Sequence, residues 1–126
     1  MEIDMDSGLR LPFGKIIAFH PALSWIMGDN NDAALYLQQL LYWNDKGSRE
    51  DGFIYKTKKE IQYETRLTRE KQDHIRKKLE RMGILETKLL KANGTPTLHY
   101  KISIKRVQAI IDDKCETHKP ESVKDT

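Results

Sequence analysis

Residues 53–104 read FIYKTKKEIQYETRLTREKQDHIRKKLERMGILETKLLKANGTPTLHYKISI, and this stretch decides the fold. Phe53-Ile54-Tyr55 is a short run of strand formers. Thr57-Lys58-Lys59-Glu60 fits a capping box, with each end's side chain accepting from the other's backbone N–H. A short helix to about residue 64 follows, with Ile61 facing inward. Thr65-Arg66-Leu67 is a tight connection, and Thr68 is a second N-cap. The next helix runs to about residue 82. Its inward stripe is Ile75, Leu79 and Met82, with Gln72 and Thr68 in line. Gly83 stands where a left-handed residue ends a helix. Residues 84–90 and 97–104 read as two strands around Asn93-Gly94, a strong hairpin signal. Leu98, Tyr100, Ile102 and Ile104 alternate on one face, which turns His99 outward. Strand, short helix, turn, longer helix and hairpin is the order of a winged helix. The expected class is therefore mainly α with a small antiparallel β-hairpin (α+β), a winged helix-turn-helix with extra N-terminal helices.

Upstream, residues 1–14 are acidic and then turn-rich, and read as a flexible lead-in. Residues 15–19 form a short apolar, extended run. His20-Pro21 opens a short helix carrying Leu23, Trp25, Ile26 and Met27, and Gly28 stops it. Asp29-Asn30-Asn31-Asp32 supplies N-caps for a helix over 32–44. That helix is apolar nearly all round, so it is either buried on several sides or shared with a second subunit. Tyr36, Leu40, Tyr42 and Trp43 are the expected homodimer interface, where aromatics are enriched. Downstream, residues 105–111 read as a final helix and 112–126 as a disordered tail. The winged-helix domain then spans 15–111, comprising N-terminal helices (15–52), helix-turn-helix plus wing (53–104) and the last helix.

The chain has 126 residues, enough for one compact domain. Its net charge of +3 conceals an uneven distribution. Residues 1–55 carry −4 and 107–126 carry −2, whereas 56–106 hold fifteen basic and six acidic side chains, or +9. A concentrated positive field points to a polyanionic partner. No apolar run reaches the roughly 20 residues of a bilayer span. A single cysteine, Cys115, excludes an internal disulfide, and the expected compartment is the cytoplasm. The histidines show no metal-ligand spacing, Cys115 has no neighbouring base, and no Gly-rich phosphate loop occurs, so neither an enzyme nor a cofactor is expected.

The second helix of the pair is the expected DNA reader. Arg69, Asp73, Arg76 and Lys77 are the candidates for base or groove contact, and Arg66 and Arg69 with the helix-end N–H groups at Thr68 make a phosphate clamp. Lys56, Lys58 and Lys59 are phosphate candidates before the first helix. Lys91, Asn93 and Thr95 are candidates at the wing tip. Glu70 and Asp73 cut both ways, since a carboxylate accepts from cytosine N4 but repels phosphate.

The chain resembles the winged-helix domain of phage and plasmid replication proteins, the replisome-organiser and initiator group akin to the N-terminal domain of DnaD-like primosome proteins. Phe19-His20-Pro21, the run from Ala34 to Trp43, and Asp51-Gly52-Phe53-Ile54-Tyr55 carry the resemblance. Leu67-Thr68, Leu79, Gly83-Ile84-Leu85, Gly94 and His99-Tyr100 complete it. It implies double-stranded DNA binding at an origin, homo-oligomerisation through the N-terminal elements, and recruitment of replication proteins such as a helicase or helicase loader. Such relatives commonly continue into a second domain. Here a short polar tail follows, and the expectation is a stand-alone module, a fragment of a longer protein, or a small regulator from a mobile element. A protein-interaction adaptor or a transcriptional regulator on the same fold are the alternatives.

Overall fold

The computed structural model describes residues 3–4, 10–12, 19–47, 50–92 and 94–117. Among them the chain is α+β, with five helices and a small three-stranded antiparallel sheet. A two-residue pairing, β1 (Ile3–Asp4) with β2 (Arg10–Leu11), stands within the stretch read as a flexible lead-in. Of the expected extended run over 15–19, only Phe19 is described; it is exposed and lies outside any strand.

Helix α1 (Pro21–Ile26) begins with Pro21 in its first turn, and the His20 ring accepts from the Ala22 N–H. Helix α2 (Asn31–Lys46) is capped by Asn30, whose side chain accepts from the Ala33 N–H. It packs against α1 and three later elements, so its nearly uniform apolar surface is used inside the chain. Ala33, Ala34, Tyr36, Leu37 and Leu40 are all at most 1% exposed. Tyr36 and Leu40 were expected between two copies. They lie instead in the core of one chain, because the sheet and the later helices close over that face.

Strand β3 (Ile54–Tyr55) leads into α3 (Lys58–Thr65), and the capping box at Thr57 and Glu60 is present in both directions. Arg66 takes a left-handed conformation (φ 66°) and its N–H closes the helix onto the Gln62 carbonyl at 2.7 Å. Thr68 then caps α4 (Arg69–Arg81) by accepting from the Lys71 N–H. Gln72, Ile75 and Leu79 form its buried stripe. Beyond it Gly83 (φ 78°) donates to the Glu80 carbonyl and Ile84 to the Leu79 carbonyl, the paired bonds of a Schellman end.

Strands β4 (Leu85–Ala92) and β5 (Thr95–Ile102) form a hairpin in full register, from Leu85↔Ile102 to Ala92↔Thr95. Strand β3 joins the other side of β5 at Tyr100 and His99, giving the order β3-β5-β4. Two expectations fail in this region. His99 is 2% exposed, not outward, because β3 brings the Tyr55 ring over it. Ile104 is 54% exposed because it starts α5 (Ile104–Thr117) and does not end a strand. Helix α5 also continues through Asp112–Thr117, where a disordered tail was expected. The Lys114 ammonium explains the added turns, since it donates to the Trp25 carbonyl at the end of α1 (2.9 Å).

A candidate nucleic-acid interface at two helix starts

The starts of α3 and α4 meet because Gln72 joins them. Its amide Nε2 donates to the Lys58 carbonyl and to the Leu67 carbonyl, each at 3.0 Å. Gln72 is therefore structural, as its buried position in the stripe implied. Against this joint the hairpin leans its inner face, leaving an open cleft of about 320 Å³. Lys56, Lys58, Lys59 and Arg69 supply one wall, and Leu89, Pro96 and Leu98 the other. Two helix N-termini open into this cationic wall, and helix ends add partial positive charge through their unpaired N–H groups.

The four cations differ in how free they are. Lys56 is nearly buried, and its ammonium is held by Glu64 at 2.6 Å. Glu64 also accepts from Gln39 Nε2 (2.7 Å) and Trp43 Nε1 (3.0 Å), tying α2, α3 and the segment before α3 together. Lys56 is thus a structural cation, which corrects its expected role as a phosphate contact. Lys58 reaches Asp73 at 2.8 Å, and Arg76 reaches the same carboxylate oxygen at 3.2 Å. The Lys58 ammonium, with Arg76 adding to it, holds the Asp73 carboxyl below the usual carboxylate range against the opposing effect of burial. Asp73 therefore organises two cations, and neither it nor Arg76 is presented freely to a groove. Arg76 also lies 3.7 Å from Glu80, and its side chain is only 16% exposed. Lys59 and Arg69 are exposed on the cleft wall.

Around the cleft, Lys77 is exposed on the outward side of α4, and Arg66 is exposed in the turn. Lys91 and Thr95 are exposed toward the hairpin end, whereas Asn93 lies outside the described residues. Thr68 spends its hydroxyl on the Lys71 N–H as a cap. The structure thus brings Lys58, Lys59 and Arg69 together and sets Lys77 and Lys91 on flanking surfaces. Tyr42 and Trp43, the other expected interface residues, are half-buried and meet edge to face at 5.0 Å.

Two features escaped the sequence reading. Glu64 is a three-donor acceptor whose partners lie 8 to 25 residues away, so no local pattern announces it. The apolar wall did leave a trace: Leu89 follows Leu85 and Thr87 on one face of β4 opposite Leu98, and near the hairpin end, beyond the core, it is 65% exposed. Among the described residues no group of three or more His, Cys, Asp or Glu could hold a metal ion, and no helix is long and apolar enough to cross a membrane. Compared with known proteins, the chain matches no family model, no curated protein and no solved structure.

Proposed function

We propose that this chain is a winged helix-turn-helix module that binds double-stranded DNA, with α3 and α4 as the helix pair, α4 as the groove helix and the β4–β5 hairpin as the wing. The observation that carries this reading is the cleft in which the exposed Lys59 and Arg69 meet at two helix N-termini beside the hairpin, with Lys58 next to them held by Asp73. A duplex backbone laid in it receives charge from the side chains and from the helix ends together. Lys77 faces the groove, and Lys91 and Thr95 approach the backbone from the wing. The resemblance to phage and plasmid replication proteins supports a role in replication of a phage or other mobile element, and implies a homodimer, a helicase or helicase loader as further partner, and the cytoplasm.

A second reading is a protein-interaction adaptor. It rests on the outward side of α4, where Glu70, Asp73 and Glu80 offset Arg69, Lys77 and Arg81. The two readings part on one experiment, duplex binding across a salt series. Binding is expected to fall steeply with salt, with a slope of about −0.9 per phosphate neutralised. Arg69→Ala should reduce that slope by about one contact and leave the melting curve in place. Absence of duplex binding at low salt overturns the DNA reading, and an unchanged slope in Arg69→Ala overturns the assignment of α4 as the reading helix.

A further inference from the structure

Where α2 ends and β3 begins, aromatic rings and lysines interleave. The Lys46 ammonium lies 5.4 Å from the Tyr42 ring centre, Lys56 4.0 Å from Trp43, and Lys88 and Lys101 4.2 and 5.5 Å from Phe53. All four ammoniums lie within the roughly 6 Å over which a cation is attracted to a ring face. Between these groups lies an open cavity of about 200 Å³, walled chiefly by Trp43, Phe53, Ile54 and Tyr55, with Lys46 and Lys56 on its rim. Tyr55 rests one side on His99, with centroids 5.4 Å apart and planes 30° from parallel, and remains 38% exposed. Its position follows from strand alternation: Ile54 turns into the core, which leaves Tyr55 on the surface.

We infer that this slot binds an unpaired nucleobase of single-stranded DNA. The exposed Tyr55 ring, with the exposed Lys46 ammonium at the same cavity, suits a ligand that is aromatic in its bases and anionic in its backbone, and stacking of this kind tolerates every base. The one carboxylate at the Lys56 edge, Glu64, is already satisfied by three donors and does not confront a phosphate bare. Lys56 lines both this slot and the basic cleft, so the two openings adjoin. That continuity favours DNA over RNA as the occupant. The choice of DNA rests on the proposed duplex cleft, whereas base binding in the slot is read on its own by the oligo-dT arm of the test.

The test is titration of the full chain with short oligo-dT, oligo-rU and duplex DNA, read by tryptophan fluorescence. Oligo-dT is expected to bind at low salt. Tyr55→Ala should weaken it roughly tenfold, Tyr55→Phe should restore it, and duplex affinity should stay essentially unchanged in both. Lys46→Ala changes an exposed side chain and keeps the test open should Tyr55→Ala fold poorly. It is expected to lower the salt slope for oligo-dT by about 0.7. Lack of oligo-dT binding overturns the slot, as does an affinity that neither Tyr55→Ala nor Lys46→Ala alters, and tighter binding of oligo-rU overturns its assignment to DNA. Duplex binding without oligo-dT binding removes the slot alone, whereas the converse removes the duplex reader alone.

Discussion

Asp73 illustrates how one carboxylate sets the character of a basic surface. Lys58 and Arg76 both point at it, so two of the expected DNA contacts are engaged within the protein. Its lowered pKa means that the ionised form contributes stability above the ordinary aspartate range near pH 4, and that this contribution is lost as pH falls through the lowered value. Because its side chain is 36% exposed, the effect is no more than about 1 kcal/mol. Asp73→Asn should therefore flatten the acid limb of a pH–stability profile. It should also free Lys58, steepening the salt slope for duplex binding by about 0.9. Tyr36 and Tyr100 respond at the other extreme of pH. Burial raises both hydroxyls above their usual range, and for Tyr36 the neighbouring Tyr100 adds to the rise. Neutral tyrosines stabilise the fold fully below about pH 10, and that stability is lost as pH rises beyond it. Tyr36→Phe should cost about 1 kcal/mol at neutral pH and soften the alkaline loss, both measurable by denaturant unfolding.

The helix pair depends on a joint between its elements more than on either helix alone. An eight-residue helix such as α3 is too short to persist by propensity. The capping box starts it, and Ile61 and Gln72 hold it against α4. Gln72→Leu fills the same space but removes the donor to two backbone carbonyls, and should destabilise by about 1–3 kcal/mol in chemical denaturation. If the joint also sets the cleft, this variant loses more duplex affinity than its exposure would suggest. The local markers of these elements were legible in sequence: Asn30, Thr57 with Glu60, Thr68 and Gly83 all act within one helical turn. The end of α5 was not, because its last turns rest on Lys114 reaching Trp25, 89 residues away in the chain.

For the whole molecule, the positive excess of residues 56–106 is less exposed than a charge count implies. Lys56, Lys58, Lys71 and Arg76 pair with carboxylates, Lys78 donates to the Met27 carbonyl, and Arg106 donates to the Met82 carbonyl at the end of α4. Much of the basic segment thus fastens elements together, and Lys59, Arg69, Lys77 and Lys91 remain exposed. Burial of Tyr36 and Leu40 likewise leaves Tyr42 and Trp43, on the half-buried flank of α2, as the remaining expected dimer contacts. Under the homodimer proposal, light scattering should give twice the chain mass, and Tyr42→Glu should halve it with the melting curve retained. A monomer mass for the unaltered chain at micromolar concentration would end the dimer proposal.

The order of elements, their caps and the inward stripe of α4 were readable from residues 53–104 because each rests on neighbours within a few positions. Which cations stay available, and which aromatic rings face water, was not. Lys58 finds Asp73 across the α3–α4 joint, Lys56 finds Glu64 and the Trp43 ring, and β3 covers His99 with Tyr55. Those pairings follow from how the helices and sheet pack, and charge or periodicity along the chain carries no record of distance in space.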